Sequence, residues 1–393
     1  MRVLMVLGRS SGGIGAHVDA LTTDLRRLGH QVRIVTDAGT AEHFGWSDAD
    51  QLWPLRGGAG LIEAPLDWHR IRRLAQSCDV VHAHGHQAAL VAAIAVLRAG
   101  RQGGPPALVV SLHNDLPASG AGVRTFTAAI GWALRRADLV TGASPDLVAL
   151  ARECGAHTVE LATVASPRVA ALLADEGKGA APGPDPQRDP QRHQQDRRNA
   201  LRRQLLAGAG IDDPGRPLVL TVSRVAPQKD LSTLVQAAAR SRVPATWVVV
   251  GGGDDPLRAR LEQELRGIRT EAGVELHFVG PCSDVSSWLR AATVFALSSR
   301  WEARALVVQE AMAAGLPVVA TRVGGLPELV GGAGLLVPPG DPPALAEAVD
   351  ALLRDPERAA RLGIAGRLEA ASWATPGQEA RRWGGRYATL RPG

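Results

Sequence analysis

Lysine is almost absent from this sequence, although the chain is not poor in positive charge. Of the 44 lysines and arginines among 393 residues, only Lys178 and Lys229 are lysines. Arginine evidently serves wherever any positive charge is sufficient, so a remaining lysine indicates a need for a compact ammonium group. The argument favours Lys229, because Lys178 lies in a segment with the composition of a linker.

Cysteine is also scarce, and its pattern excludes two classes of structure. Cys78, Cys154 and Cys282 are odd in number and far apart. Neither a disulfide framework nor a zinc site of paired cysteines has this pattern. We expect three reduced and mostly buried thiols.

Long apolar runs are missing as well. The longest nearly uncharged run, at 88–97, is well short of the roughly 20 residues that span a bilayer, so no transmembrane helix is predicted. The chain enters the apolar run at 3–7 directly after Met1-Arg2, which is typical of a first strand and not of a signal peptide. We predict a cytoplasmic protein.

The net charge of +5 and the isoelectric point near 9.8 raise the question of an anionic partner. Much of the basic excess lies in the segment that resembles a linker, at Arg188, Arg192, Arg197, Arg198, Arg202 and Arg203. Neither an aromatic RNA-binding motif nor a basic helix-turn-helix is present, so no nucleic-acid partner is expected. Peripheral contact with the anionic inner face of a membrane is the more plausible alternative.

Short runs rich in Val, Leu and Ile alternate with amphipathic helical stretches. This alternation predicts parallel strands that are buried on both faces and joined by right-handed βαβ crossovers. Predicted strands in the first half are 3–7, 32–35, 80–83, 108–112 and 139–141, with helices at 16–28 and 122–136. Those in the second half are 218–222, 246–250, 276–279, 294–297, 317–320 and 335–337.

Between the two series, residues 175–198 are rich in proline, glycine and charge and lack a hydrophobic period. We therefore predict two doubly wound Rossmann-like α/β domains, at 1–170 and 215–372, with a flexible linker at 171–214. A C-terminal helix at 373–390 should pack back on the first domain. The functional residues are expected in strand-end loops that face a central cleft.

The sequence SSGGIG at 10–15 follows the first strand and opens a helix. Gly12 and Gly13 lie in this turn, where free backbone N–H groups are suited to an anion. The spacing is not the dinucleotide pattern, and such a turn also needs glycine for its geometry alone.

The sequence VSRVAPQKD at 222–230 directly follows the first strand of the second domain. It places Arg224 and Lys229 at one strand end, which suits a diphosphate. In the alternative interpretation both are solvent-facing charges and Asp230 caps the next helix. The rarity of lysine favours the functional interpretation.

The sequence SSRWE at 298–302 ends a later strand, and the helix that follows carries Glu310. Carboxylates such as Glu302 and Glu310 accept hydrogen bonds from sugar and ribose hydroxyls. The helix N-terminus adds N–H groups that suit a phosphate. The spacing of Glu302 and Glu310 alone is weak evidence for a binding site. The position of this segment at a strand end, after the two cations, strengthens that evidence.

Three segments, 222–231, 298–310 and 311–325, resemble family 4 retaining glycosyltransferases (glycosyltransferases group 1). The likeness covers nearly all of the second domain. It is looser in the first domain, where it depends on Gly12-Gly13, DVVHAHG at 79–85 and the strand that ends at His113. The resemblance implies a GT-B fold and transfer of a sugar from a UDP- or GDP-sugar donor, without metal or cofactor. The acceptor is unidentified: a small molecule, a lipid or a glycan.

The resemblance also implies roles for individual residues. Arg224 and Lys229 would neutralise the donor diphosphate, Glu302 would hold hydroxyls of the transferred sugar, and His113 would lie near the reacting carbon. The donor-binding residues would be Gly12, Gly13, Gly280, Leu306, Val307 and Glu310, the last on the ribose. Apart from the resemblance, we expect His84 at the cleft and a phosphate or acceptor contact from Arg304, and we assign both to the acceptor side. No protein nucleophile is expected, because the leaving phosphate helps to deprotonate the acceptor.

One departure from the family pattern lies directly after Glu302. The family has a small–aromatic–glycine run there, whereas this chain has Ala303-Arg304-Ala305. Alanine at the phosphate approach is strained if its φ angle is positive and acceptable if the backbone is in an ordinary region.

Some patterns are weaker. His82, His84 and His86 alternate as metal ligands on a strand could, but the strand is expected to end near Ala83, so that their side chains diverge. Asp48-Ala49-Asp50 matches a metal-binding D-x-D pattern, for which chance is the better explanation. The basic apolar segment at 122–136 is either a packed Rossmann helix or a membrane-contacting one.

Two other functions remain open. A sugar-nucleotide epimerase of the same fold would convert the donor without an acceptor, and a non-catalytic protein would only bind the nucleotide sugar. A pyridoxal-phosphate phosphorylase is disfavoured, because it needs a second functional lysine and only Lys178 remains.

Overall fold

The structure is a computed structural model that describes residues 1–56, 61–62, 65–97, 104–116, 123–178, 190–212, 215–267 and 273–390. It divides into two compact units. The first unit is Met1–Pro167 with Ala374–Gly393, and the second unit is Arg168–Trp373.

The strands within the described residues are β1 Arg2–Leu7, β2 Gln31–Thr36, β3 Asp50–Gln51, β4 Leu55–Arg56, β5 Leu61–Ile62, β6 Val80–His84, β7 Ala107–Leu112, β8 Leu139–Gly142, β9 Val159–Leu161, β10 Leu218–Val222, β11 Thr246–Val250, β12 Glu275–Gly280, β13 Val294–Leu297, β14 Val318–Thr321 and β15 Gly334–Val337. The α-helices are α1 Gly13–Arg27, α2 Ala38–Phe44, α3 Pro65–Ser77, α4 His86–Leu97, α5 Val123–Leu134, α6 Pro145–Glu153, α7 Val169–Lys178, α8 Pro190–Gly208, α9 Leu231–Arg240, α10 Asp255–Gly267, α11 Val285–Ala291, α12 Leu306–Ala313, α13 Leu326–Val330, α14 Pro342–Arg354, α15 Pro356–Ser372 and α16 Pro376–Thr389.

The first unit is built on a parallel sheet with the strand order β3-β2-β1-β6-β7-β8-β9. The strands that continue the apolar runs of the sequence are buried, and Met5 of β1 lies between Ile34 of β2 and His82 of β6. The order reverses between β1 and β6, where a doubly wound sheet opens a crevice at the strand ends. The loop after β1 and the end of β6 therefore come together.

The C-terminal helix α16 belongs to this first unit and packs against α1. It begins at a capping box, in which the Thr375 hydroxyl accepts from the Gln378 N–H and the Gln378 side chain accepts from the Thr375 N–H. Trp383 and Tyr387 on this helix are fully buried in the core of the unit.

The second unit has a parallel sheet with the order β12-β11-β10-β13-β14-β15. The order reverses between β10 and β13, so the loops after these two neighbouring strands share one sheet edge. Those loops carry the predicted cations and Glu302.

The prediction of a flexible linker at 171–214 is wrong for its described residues. Helix α7 occupies 169–178 and α8 occupies 190–208, and both belong to the second unit. Leu172 and Leu206 are buried in its core, with Leu201 and Leu205 packed beside them. Apolar residues at helical spacing hold these flanks in place despite the polar composition around them. The most proline-rich part, 179–189, lies outside the described residues.

The prediction of free cysteines is confirmed, but the thiols are not mostly buried. Cys78 is buried, whereas Cys154 is half-buried and Cys282 is exposed. Burial raises the pKa of the Cys78 thiol.

No helix within the described residues has the length and apolarity needed to cross a membrane. In α5, Ile130, Ala133 and Leu134 are buried, as in a packed Rossmann helix. Trp132 remains half-buried beneath the guanidinium of Arg136, 4.2 Å from its ring centre. Gly122, the first residue of the predicted helix, lies outside the described residues.

Candidate active site

The loops that follow β10 and β13 are joined by hydrogen bonds. The N–H of Arg300 donates to the Gln228 carbonyl at 2.8 Å, and the Gln228 side chain donates to the Trp301 carbonyl at 2.9 Å. The Ser298 hydroxyl contacts the carbonyl oxygens of both Lys229 and Asp230 at 3.0 Å. The two predicted donor-binding segments therefore form one framework.

Lys229 and Glu302 are in direct contact within this framework. The Nζ atom of Lys229 lies 2.5 Å from Oε1 of Glu302, and the Ser299 hydroxyl donates to the same oxygen at 2.7 Å. The lysine side chain is 14% exposed and the glutamate 8%. A largely buried ion pair thus connects the residue predicted to bind phosphate with the one predicted to hold sugar hydroxyls.

Arg224 is the second predicted cation, and its environment is different. Its side chain is exposed and has no ion pair with any residue that the structure describes.

The loop that carries Arg224 packs closely against the end of β11. The Val225 N–H donates to the Gly252 carbonyl at 2.8 Å, and a Cβ atom on Gly253 would lie 2.3 Å from the Val225 carbonyl oxygen. Only glycine allows this approach, a role that sequence reasoning missed in the run GGG at 251–253.

Asp230 turns the chain between the short 3₁₀ helix Pro227–Lys229 and α9. Its φ of 45° makes it the only non-glycine residue with positive φ in the described part of the chain. Its carboxylate does not cap the backbone of α9 but accepts from the Thr233 hydroxyl at 2.9 Å and lies 3.3 Å from Arg300. Asp230 therefore lies at the N-cap position of α9, as considered from the sequence, but its side chain makes no cap hydrogen bond to the backbone. The turn directs Lys229 back towards the loop after β13.

The departure at Ala303-Arg304-Ala305 causes no backbone strain. Ala305 precedes α12 with φ −58° and ψ 112°, which is open to any residue. Without a capping side chain, the N–H groups of Leu306 and Val307 have no acceptor inside the helix. The helix terminus that we predict to suit a phosphate therefore starts at these two residues.

Glu310 lies on α12 with its side chain only 2% exposed. The Nη1 atom of Arg168 lies 3.3 Å and 3.4 Å from its two carboxylate oxygens. Sequence reasoning missed Arg168, because 142 residues separate it from Glu310 and no local motif marks it.

The remaining predicted residues of the second unit are less central. The guanidinium of Arg304 lies 5.3 Å from the ring centre of Trp373. Gly280 ends β12 with φ 77°, and its carbonyl accepts from the Gly251 N–H at 2.8 Å. Gly280 thus borders β11, one strand away from the loop that carries Lys229.

A glycine that sequence reasoning did not single out supports Glu302. Gly324 has φ 50°, and a Cβ atom on it would lie 2.0 Å from the Glu302 carbonyl oxygen. The N–H of Gly325 donates to that same oxygen at 2.9 Å. The GG pair after β14 therefore holds the backbone of Glu302.

In the first unit, Gly12 and Gly13 start α1 as predicted. Gly12 precedes the helix in an extended conformation, and neither a side-chain cap nor an acidic residue occupies the first turn. The Ser10 hydroxyl accepts from the Gly15 N–H at 3.1 Å. The terminus has the free N–H groups and positive dipole end that suit an anion.

His84 and His113 are in contact in the first unit. The Nδ1 atom of His84 lies 3.1 Å from Nε2 of His113. His17 on α1 completes the cluster, and sequence reasoning did not identify it. Burial lowers the pKa of His113 to about 3 and that of His17 to about 4, and it holds the pKa of His84 well below the ordinary value.

The expectation that His82, His84 and His86 diverge is wrong for the first two. Strand β6 continues through His84, and the rings of His82 and His84 lie 4.1 Å apart. His82 is otherwise held by the hydroxyls of Tyr387 and Ser111, both at 2.7 Å. Only His86, at the start of α4, turns away and contacts the Asn114 carbonyl.

The D-x-D pattern at 48–50 has a structural explanation. Asp48 pairs with Arg26 at 2.6 Å, and Asp50 pairs with Arg33 at 2.8 Å. Both carboxylates therefore have arginine partners, which supports the interpretation that the pattern arose by chance.

In the comparison with known proteins, each of the two units matches a family model of glycosyl transferases. The family model described as "Glycosyl transferases group 1" matches residues 216–355, and "Glycosyl transferase 4-like domain" matches residues 12–167. An alpha-D-kanosaminyltransferase of Streptomyces kanamyceticus is 30% identical over 329 residues, which are 81% of this chain and 76% of that protein. The chain belongs to the group 1 glycosyl transferase family.

Other relatives of this family match over a shorter span. A GDP-mannose-dependent alpha-(1-6)-phosphatidylinositol monomannoside mannosyltransferase of Mycolicibacterium smegmatis is 36% identical over 45% of this chain and 48% of its own length. An alpha-maltose-1-phosphate synthase of the same organism is 39% identical, again over 48% of its length. The chain thus spans about half the length of these relatives.

Solved structures confirm the predicted GT-B fold class. Anabaena HepE in complex with UDP superposes with a TM-score of 0.77 at 20% identity, over 99% of this chain and 100% of that chain. WaaG, a glycosyltransferase involved in lipopolysaccharide biosynthesis, gives 0.69 at 16% identity and covers 100% of both chains.

Proposed function

We propose that this chain is a retaining, metal-independent glycosyltransferase that moves a hexose from a UDP- or GDP-sugar to an acceptor. The observation that carries the proposal is the Lys229–Glu302 ion pair in the joined loops after β10 and β13, together with the uncapped start of α12. This framework lies in the segment that the group 1 family model matches. Relatives named for GDP-mannose dependence and a similar fold solved with UDP support the donor class.

The two cations of the second unit would stabilise the donor diphosphate. Arg224 offers an exposed guanidinium, while Lys229 offers an ammonium that Glu302 already holds in place. The N–H groups of Leu306 and Val307 add donors that need no reorganisation during reaction. Preorganised donors aimed at developing charge are an effective source of catalysis, and here the charge develops on the departing nucleotide diphosphate.

Two carboxylates would position the rest of the donor. Glu302 would accept from hydroxyls of the transferred sugar, and the buried Glu310 would accept from the ribose hydroxyls. Gly280 is the least supported donor contact, because it borders β11 and not the lysine loop.

For the first unit we propose that Gly12 and Gly13 donate N–H groups to phosphate and that His113 contacts the transferred sugar. Burial keeps His113 neutral at physiological pH, so its ring acts as a hydrogen-bonding group and not as a cation. We also assign His84, at the end of β6, and Arg304, which departs from the family pattern, to the acceptor side; for Arg304 a phosphate contact is the alternative.

Retention follows from a front-face reaction. The acceptor oxygen forms a bond to the anomeric carbon as the bond from that carbon to the diphosphate oxygen breaks. The electron pair of the breaking bond leaves with the diphosphate, and the acceptor proton passes to a diphosphate oxygen. This route needs neither a protein nucleophile nor a metal ion. We expect it to take place in the cytoplasm, with an acceptor that is a small molecule, a lipid or a glycan.

The test is to incubate purified chain with labelled UDP- and GDP-sugars in EDTA, with and without a panel of acceptors. Transfer that EDTA does not affect, with the anomeric configuration kept in the product, is the expected result. Isomerisation of the donor without acceptor would instead identify an epimerase. Donor binding without turnover across the panel would identify a non-catalytic binding protein.

A further inference from the structure

Three histidines from different elements converge at the carboxyl edge of the first sheet. His17 lies in the first turns of α1, His84 is the last residue of β6, and His113 directly follows β7. Because β6 lies between β1 and β7, their ends bring the three side chains together.

The ring nitrogens are close enough to share one ion. One nitrogen from each histidine can be chosen so that all three lie within 4.8 Å of one another, and the His84–His113 pair is at 3.1 Å. Two imidazole nitrogens on a tetrahedral zinc, each at about 2.0–2.1 Å, lie roughly 3.3 Å apart. The His84–His113 pair at 3.1 Å is close to this separation. The His17 nitrogen lies within 4.8 Å of the other two, so it needs to approach them by at most about 1.5 Å.

The chemistry of the cluster suits a metal. Each neutral imidazole has one nitrogen lone pair. Within the described residues, the three rings form a single hydrogen bond, the one between His84 and His113. This hydrogen bond occupies one of the three lone pairs. Both facing nitrogens present a lone pair to an ion when the donor ring carries its proton on its other nitrogen instead. The residues His17, His84 and His113 are 6%, 2% and 8% exposed, and their lowered pKa values keep them in the neutral form that binds metals.

We propose that His17, His84 and His113 bind one divalent transition-metal ion, with Zn²⁺ as the best fit. Three imidazoles without a carboxylate select zinc, copper or nickel over magnesium or calcium. The site leaves a fourth position open, and an ion there would occupy His113 and not serve the reaction. The inference concerns binding alone and does not depend on the proposed function.

The experiment is a calorimetric titration of tag-free, EDTA-treated protein with Zn²⁺, together with visible absorption after addition of Co²⁺. We expect one equivalent to bind, with the intense cobalt absorption of a tetrahedral site. The variants are His17→Gln and His113→Asn, with His43→Gln as the matched control because His43 is exposed and lies outside the cluster. Circular dichroism establishes that each variant is folded.

The loss of one ligand in either variant should weaken Zn²⁺ binding by more than about 100-fold. Loss of a residue that only hydrogen-bonds to a ligand usually weakens binding by about 10- to 100-fold. His43→Gln should bind as the wild type does. Two results would overturn the proposal: the wild type binds no Zn²⁺ ion with higher affinity than His17→Gln does, or both cluster variants keep the full Zn²⁺ affinity. In either case the cluster is a purely structural group of imidazoles.

Discussion

The ammonium of Lys229 lies 2.5 Å from a carboxylate oxygen of Glu302, across two loops that are 73 residues apart in the sequence. Both side chains are largely buried, so each one stabilises the charge of the other. In the proposed function the pair connects a phosphate-binding lysine with a sugar-binding glutamate, and mutation can separate these two roles from the contribution of the ion pair to stability.

We predict that Lys229→Ala lowers both stability and nucleotide affinity. The variant leaves the carboxylate of Glu302 nearly buried without its cation, which should cost about 1–3 kcal/mol in the free energy of unfolding. The double variant Lys229→Ala with Glu302→Gln should recover part of this loss, because no unpaired charge remains, but it should not recover affinity. Urea unfolding and calorimetric titration with UDP and GDP measure the two quantities.

The control for this prediction is Arg361→Ala. Arg361 forms an exposed ion pair with Glu357 at 3.8 Å in the same unit. Removing it should change the free energy of unfolding by less than about 0.5 kcal/mol and leave nucleotide affinity unchanged. Unaltered nucleotide affinity in Lys229→Ala would refute the proposed phosphate site.

Glu310 provides a second test, directed at the ribose. Glu310→Gln removes a charged acceptor, and a hydrogen bond to such a group contributes about 1.5–3 kcal/mol, or roughly 10- to 100-fold in affinity. The effect should be seen with UDP or GDP and should vanish with the 2′,3′-dideoxy nucleotide, which lacks the hydroxyls. Arg168, which contacts Glu310, is present in the measurements with both nucleotides. Any effect of its altered contact on affinity is therefore the same for both and cancels in the comparison. Equal losses for both nucleotides would place the ribose elsewhere.

Gly324 tests the support behind Glu302. Gly324→Ala introduces both a left-handed φ and a Cβ atom 2.0 Å from the Glu302 carbonyl oxygen. The matched control is Gly340→Ala, which also has a positive φ, 68°, but has no atom within 4 Å of the added Cβ. The control should lose about 1 kcal/mol from backbone strain, and Gly324→Ala about 1–3 kcal/mol more from overlap, together with transferase activity. Equal losses of stability and activity in the two variants would show that Gly324 does not position Glu302.

The strands could be predicted from the sequence because parallel strands that are buried on both faces are continuous apolar runs. Their ends were less predictable. β6 extends to His84 and not only to Ala83, because His84 pairs with Leu7 and Ser111 on the neighbouring strands. The flanks of the presumed linker are helical because Leu172 and Leu206 are buried by residues distant in the sequence.

The site was predictable where a local motif marks it. Lys229 and Glu302 follow neighbouring strands, so the sequence order and a doubly wound topology imply the contact between them. The partner of Glu310 was not predictable, since Arg168 comes from the start of the second unit with no motif around it. His17 was not predictable for the same reason. Its place in the histidine cluster depends on His84 and His113, which lie at the ends of two other strands.

The histidine cluster determines how stability should respond to pH. Burial lowers the pKa of His17 to about 4 and that of His113 to about 3, and it also lowers the pKa of His84 and of the adjacent His82. Arg386, whose charge acts on His82, lowers that pKa further. Each ring has a value near 6.5 in the unfolded chain. Below this pH the unfolded state therefore binds more protons than the folded state, and stability falls as the pH falls.

We predict that the metal-free protein loses stability from about pH 6.5 down to about pH 4, with each buried imidazole contributing up to about 1.4 kcal/mol per pH unit. His17→Gln should reduce this slope by the contribution of one buried imidazole, whereas His43→Gln should leave it unchanged, because His43 is exposed and lies outside the cluster. Urea unfolding in EDTA at pH 7.5, 6.0 and 5.0 measures the slope. A His17→Gln slope equal to that of the wild type would mean that His17 is protonated in the folded protein, contrary to its burial against two further imidazoles.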